Sequence, residues 1–385
     1  MKIIKVNGLT PIQSGMLFQY MLSNDKSSYM GTEIFELEGN INSDIFKSVL
    51  EKISDEYEVF RTNVIYDKID VPKSVVIDKR TIPFEFHKAV TDEEIKLLTY
   101  KINAEQFEKG FDIQRDSLIR LDLIVGENSS VIIFSFHHIL MDGYCAAMIA
   151  DIIMKNYGKL LGRQIENDGE YVPFSAYQDW IIIQDMSQSR EYWHEYLKDI
   201  SPVQPLELIQ FGSDRKKDVG HSSLTVEFTP SETKELLSAA AAGNATLNIY
   251  MQWLWGITLC RNFSCDKAVF GTVVSYRPAE FSNAERVLGP MINTVPVVFE
   301  CSSDIKITEQ LNAFRRSFLD SMEHSWIGLG EISKAVEDCK NLIDHLFVYD
   351  NFPEMDFGSI KENTGFQVKN FKLEERTEYA LTLEV

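Results

Sequence analysis

Short apolar or alternating runs alternate along the chain with segments whose apolar residues recur every three or four positions. The runs at 59–66, 118–125 and 131–136 predict strands, and the last two flank Gly126-Glu127-Asn128-Ser129-Ser130 in a hairpin pattern. Phe46, Val49, Leu50 and Ile53 fall on one face of a helix that Ser43 can cap. Thr91 and Glu94 have capping-box spacing, so a further helix is predicted from there. Pro11 suits the first turn of a helix over 12–18, because its missing N–H has no partner there anyway. A helix from about Tyr144 gathers Ile149, Ile152, Ile153, Tyr157 and Leu160 on one side.

The polar stretch 162–173 is the candidate boundary between two halves, 1–165 and 166–385. Beyond it the pattern predicts one or two helices over 177–197, an apolar helix over 246–262 and an amphipathic helix over 307–324. Strands are predicted at 268–275, 294–300, 345–350, 366–373 and 379–385. Helices and strands mixed with hairpins and crossovers indicate α/β layers in each half. The apolar run 379–385 reaches the last residue with no terminating signal, which suggests a piece of a longer polypeptide, with the second half cut short. Met1 reads as a native start unless it was engineered.

Composition narrows the function classes. With 385 residues, 44% hydrophobic and 25% charged, the chain can bury a large core without staples. A formal net charge of −20 repels phosphate backbones and anionic membrane surfaces, so neither nucleic acid nor membrane is an expected partner. The five cysteines (145, 260, 265, 301 and 339) form no CxxC pair and read as reduced thiols of a cytoplasmic protein. No signal peptide or bilayer-length apolar run is visible.

The informative segment is Ser135-Phe136-His137-His138-Ile139-Leu140-Met141-Asp142-Gly143-Tyr144, at the end of a predicted strand and immediately before a predicted helix. Successive strand side chains face opposite ways, so one histidine should face the core and the other a cleft. An imidazole can take a proton near neutral pH, and a backbone N–H at the helix start, here Gly143, can hold a developing oxyanion. Together they suit acyl transfer from a thioester to an amine or hydroxyl. Paired histidines can equally be satisfied core groups, and Asp-Gly is a common turn. A metal site is not expected, because no third ligand has suitable spacing.

His137-His138-Ile139-Leu140-Met141-Asp142-Gly143 resembles the HHxxxDG motif of condensation domains of non-ribosomal peptide synthetases, within the chloramphenicol acetyltransferase-like superfamily. LTPIQSGMLF at 9–18 is similar to the family's opening motif, and Glu58-Val59-Phe60-Arg61-Thr62 to its HExLRT element, with Tyr57 at the histidine and Phe60 at the leucine. Phe111-Asp112 with Leu118-Ile119-Arg120 resembles FDLxxxPLLR, with Ser117 at the proline. Tyr192-Trp193 with Tyr196-Leu197 resembles YWxxYL. FGTVVSYRP at 270–278, GPMINTVP at 289–296 and FVYDNFP at 347–353 resemble further family segments in order, with Tyr276 at a glycine position.

The resemblance implies an α/β fold of two chloramphenicol-acetyltransferase-like lobes in a V-shaped pseudo-dimer with a tunnel between them. Upstream donor and downstream acceptor peptidyl carrier proteins would deliver phosphopantetheine arms to it, with an adenylation domain adjacent and no cofactor bound directly. The domain itself would be monomeric. The acceptor amine would attack the donor thioester at His138, which either accepts a proton or positions the amine. His137 would support it. Asp142 would pair with Arg277. Arg61 is either a support of the site or a rim charge. Gly143 serves the oxyanion or leaves room for the arm. Ser275, Asn293 and Tyr144 are candidate tunnel residues. Trp326, with His324 in a segment resembling EHxxxPLxEI, reads as packing, and Cys145 as a small buried residue rather than a nucleophile.

Three rivals share parts of this reading. An epimerisation domain needs a second acid/base, and Glu58 and Glu280 do not sit in its pattern. A recruitment platform without catalysis usually has a damaged histidine motif, which is intact here. A free-standing transferase would use coenzyme A. Within condensation domains the motifs resemble the branch that joins an L-configured donor to an L-acceptor, in secondary-metabolite and antibiotic assembly.

Overall fold

The computed structural model describes residues 2–23, 25–165, 171–200, 223–302, 304–336, 342–350, 357–375, 379 and 381–385. Cys339, residues 166–170 of the expected boundary and residues 351–353 lie outside these. The chain folds into two compact units. The first comprises Met1–Asp185, Ser275–Ile292 and Asn351–Glu378; the second comprises Met186–Val274, Asn293–Asp350 and Tyr379–Val385. The units therefore part differently from the linear division at 165/166. The chain leaves the first unit and returns to it twice.

The first unit is organised by a five-stranded sheet in the order Gln367–Glu375, Met30–Glu38, Ser129–His137, Ile119–Val125, Phe84–Lys88. All pairs are antiparallel except the last, which is parallel. The expected hairpin is present between Ile119–Val125 and Ser129–His137, closed by the Gly126 N–H donating to the Ser129 carbonyl at 2.8 Å. Alternation sorts side chains onto two faces. Phe35, Ile132, Phe134 and Phe136 join the main core with Ala146, Ile149 and Ile153 of the helix Gly143–Leu160. Ile34, Ile124, Val131 and Ile133 pack with Ile95 and Ile102 of the helix Asp92–Lys109. A smaller sheet, Ile3–Gly8, Lys73–Ile77, Thr62–Ile65, completes the unit with the short parallel pair Val287–Leu288 and Val172–Pro173.

Local chemistry adjusts three expected boundaries. The helix Ser43–Glu56 buries Phe46, Val49, Leu50 and Ile53 as the periodicity requires, but Asn42 rather than Ser43 caps it, accepting from the N–H groups of Asp44 and Ile45. Thr91 caps the next helix by accepting from the Glu94 N–H, while the Glu94 carboxylate accepts from Val90, one residue earlier than a capping box would have it. The strand expected over 59–66 begins only at Thr62, because 58–61 form a 3-10 turn.

The second unit holds a four-stranded sheet in the order Ile292–Glu300, Lys267–Ser275, His345–Val348, Leu381–Glu384. Trp193, Phe270, Phe299 and Phe347 are fully buried in its core. The YWxxYL segment works as packing: Trp193 Nε1 donates to the His324 carbonyl, and the Tyr196 hydroxyl accepts from the Val298 N–H. His324 stacks on Tyr192 at 4.2 Å, and Trp326 packs partly buried against the same core.

Candidate active site

The Ser129–His137 strand delivers the histidine pair to the turn before the helix Gly143–Leu160. The His137 N–H donates to the Leu118 carbonyl at 3.1 Å, the last bond toward one neighbouring strand. The His138 N–H donates to the Tyr29 carbonyl at 2.8 Å on the opposite side. Gln13, from the opening LTPIQSGMLF segment, clamps the turn from outside. Its side-chain amide donates to the Ile139 carbonyl at 2.9 Å, and its own oxygen accepts from Thr10 and Gln178.

The two imidazoles diverge as strand alternation requires. His137 is fully buried, edge-on to Tyr20 and Phe111. Its Nδ1 accepts from the Ile139 N–H at 3.0 Å, and its Nε2 finds no hydrogen-bond partner among the described residues. Burial, with His138 nearby, pushes it down to about 3, so it stays neutral. His138 lies on the other face, with its side chain 10% exposed and Nε2 3.1 Å from a carboxylate oxygen of Glu375. Burial disfavours its charged form, but the Glu375 charge and hydrogen bond, then Asp142 and the Met141 backbone, outweigh burial and raise it. Apart from that Met141 backbone contact, Nδ1 has no hydrogen-bond partner among the described residues. Glu375 shows the reciprocal effect: burial raises it, and the contact with His138 overcomes that and holds it low.

Asp142 is fully buried and saturated. It caps the helix by accepting from the Cys145 N–H at 2.9 Å, and it accepts from the Met291 N–H at 2.9 Å. Arg277 places a guanidinium nitrogen 3.3 Å from it. The guanidinium also lies 4.1 Å above the Tyr144 ring and donates to the Ala284 carbonyl. Gly143 is the first helical residue, so its N–H has no acceptor within the helix. Cys145 is fully buried, its sulfur shared with the Gly289 backbone. Burial pushes that thiol far up, which leaves it inert as a nucleophile.

Other expected site residues lie elsewhere. Arg61 donates to the carbonyls of Ser54, Asp55 and Ile77, and none of its contacts among the described residues reaches the histidines. It ties a helix end to a strand end. Ser275 is exposed in the first unit's share of the chain, whereas Asn293 is buried in the second unit, donating to the carbonyls of Ser325 and Ile327. Glu58 is engaged by the Ser175 N–H and Lys5, and Glu280 is exposed. One group of metal-type ligands occurs among the described residues, Glu85, His87 and Asp122, at the far edge of the sheet. There His87 Nε2 and Asp122 already pair at 3.1 Å.

Sequence reasoning missed Glu375 and its neighbour Glu33. Glu33 is 4% exposed on the same sheet face, and burial followed by the Glu375 charge pushes it up to about 8. The available signal was weak: Glu33 and Glu36 both interrupt the segment 30–37, and only the burial of Glu33 sets it apart.

The condensation-domain family model matches residues 4–385. Gramicidin S synthase 2 of Brevibacillus brevis is 31% identical over 98% of this chain, and bacitracin synthase 3 of Bacillus licheniformis is 28% identical over 100%. The chain spans only 9% and 6% of those relatives' lengths. Among solved structures, the condensation domain of the Monacolin K polyketide synthase superposes with a TM-score of 0.78 at 14% identity, covering 100% of this chain and 89% of that one. A four-domain nonribosomal peptide synthetase bound to AMP and glycine superposes with a TM-score of 0.78 at 18% identity, covering 100% of this chain and 30% of that one. With a family model spanning nearly every residue and the histidine motif carried on the matching α/β fold, this chain belongs to the condensation-domain family.

Proposed function

We propose that the chain joins two carrier-tethered acyl groups by an amide bond, as a domain of a non-ribosomal peptide synthetase. The acceptor's α-amine attacks the donor thioester carbonyl. The C–N bond forms, the C–S bond breaks with its electron pair leaving on sulfur, and the proton lost from nitrogen ends on the thiol. The observation that carries the reading is the divergence of the motif's two imidazoles: His137 is sealed and neutral, and His138 faces a partly exposed carboxylate. His138 and the Gly143 N–H are the reacting-centre groups in this reading, with Asp142 and Arg277 as the brace beneath them. Phosphopantetheine arms arrive on donor and acceptor carrier proteins, beside an adenylation domain, in the cytoplasm. That no helix among the described residues is long and apolar enough to cross a membrane is compatible with this setting.

Loading donor and acceptor carriers, adding the domain and seeking dipeptidyl product by mass spectrometry tests the reading. Product dependent on His138 is expected, and absence of product with the unaltered domain would overturn it.

Epimerisation is a second reading, favoured by one observation: a glutamate beside the second histidine. The two groups are 3.1 Å apart, in direct hydrogen-bond contact, whereas two-sided proton exchange needs an α-carbon between acid and base, which weighs against this reading. Incubating an aminoacyl carrier with the domain in deuterated water should therefore leave the α-position unlabelled.

A further inference from the structure

Strand register brings Glu375 to His138. Glu375 pairs with Gly31 on the neighbouring strand, and Gly31 pairs with Phe136 on the next. The three form one row across the sheet, and the middle position carries no side chain. A Cβ there would come within 2.7 Å of the Phe136 ring. The Phe136 ring in turn stands edge-on to His138, with centroids 5.1 Å apart. The Phe136 ring thus lies over the glycine, on the face that Phe136 and Glu375 share, and the Glu375 carboxylate meets His138 Nε2 there. Glu375 stays 31% exposed, so it can remain ionised without a second partner.

We propose that Glu375 is a positioning residue that holds His138 in its Nε2-protonated form, so that in the resting site this nitrogen donates a hydrogen bond and has no lone pair with which to act as a base. The inference rests on the amide-forming reading for what the ring does to substrate, and it selects positioning over general-base action at that nitrogen. The state of the ring itself needs no substrate to be measured.

The groups facing the ring agree with this assignment. Glu375 approaches from the outer strand, Asp142 and the Met141 backbone from the turn, and all three favour the imidazolium. Arg277 is spent on Asp142, and His137 is neutral. Glu33, behind Glu375 on the middle strand, keeps its proton at pH 7 and adds no second charge there.

The test is a titration of the full chain by nitrogen-15 NMR with labelled histidine, His138 being assigned by its loss in His138→Ala. The expected result is an Nε2–H ring in the neutral form, whose midpoint falls by about one pH unit or more in Glu375→Gln. Glu375→Asp should recover part of the shift. The pH profile of single-turnover dipeptide formation should move in the same direction, which a merely structural residue would not cause. An Nδ1–H tautomer, or an unchanged midpoint in Glu375→Gln with the other histidine signals intact, overturns the proposal. Should Glu375→Gln fail to fold, Glu375→Asp decides by the same midpoint. Absence of any dipeptide with the unaltered domain would defeat the functional reading instead, while the titration still judges Glu375.

Discussion

The two faces of the Ser129–His137 strand end in one imidazole each, and their surroundings are opposite. On one face His137 sits among Tyr20 and Phe111, sealed from solvent and kept neutral. On the other, His138 meets Glu375 and is biased toward its charged form. One residue type in adjacent positions thus becomes packing on one side and candidate chemistry on the other. The difference lies in which strand and helix cover each face, not in the ring.

The turn that separates the two faces hangs on Asp142, so removing it should have the largest effect on stability. Asp142→Ala leaves Arg277 almost buried without its counter-ion and the Cys145 and Met291 N–H groups without their acceptor. Chemical denaturation should show a loss of about 3–5 kcal/mol. A fully stable but inactive Asp142→Ala would reassign the aspartate from brace to chemistry.

The faces should next separate by pH. The folded state keeps His137 neutral down to about 3 against an ordinary 6.5, so between those values the unfolded chain binds the extra proton and stability falls with acidification. Glu33 runs the other way. Its folded value near 8 against an ordinary 4.5 means the folded state holds the extra proton, so stability falls as pH rises through that window. Each slope should amount to a few kcal/mol at most. Denaturation midpoints should rise at pH 8 in Glu33→Gln and flatten below pH 6 in His137→Phe. Equal slopes in all three proteins would erase the contrast.

A smaller effect is expected from Gly31→Ala, whose Cβ would press on the Phe136 ring beside His138. Overpacking of this kind costs about 1–3 kcal/mol. Smallest is Asn42→Ala, which removes a helix cap remote from both rings. It should cost about 1 kcal/mol and leave dipeptide formation unchanged.

What was legible in the sequence follows from locality. The helix Ser43–Glu56, the hairpin before the motif and the histidine–aspartate turn are written in neighbouring residues, and they fold where periodicity and turn chemistry place them. Asn42 and Ser43 are both good caps, so the pattern alone could not choose between them. Residues 58–61 form a 3-10 turn rather than strand, and Arg61 reaches the Ile77 carbonyl, a neighbour that sequence order does not reveal. Glu375 was hidden for the strongest reason. The strand Gln367–Glu375 returns from beyond most of the second unit's chain to pair with Met30–Glu38, and only that register sets its carboxylate beside His138. The same return is why a linear division of the chain differs from its compact units.

Adjacent imidazoles take unequal roles, and single-turnover dipeptide formation by His138→Ala and His137→Phe measures this most directly. The predicted result is a loss of about 100-fold or more for His138→Ala in a protein that melts like the parent, with His137→Phe retaining turnover at a temperature where it is folded. Full turnover by His138→Ala, or equal losses in both folded variants, would contradict it.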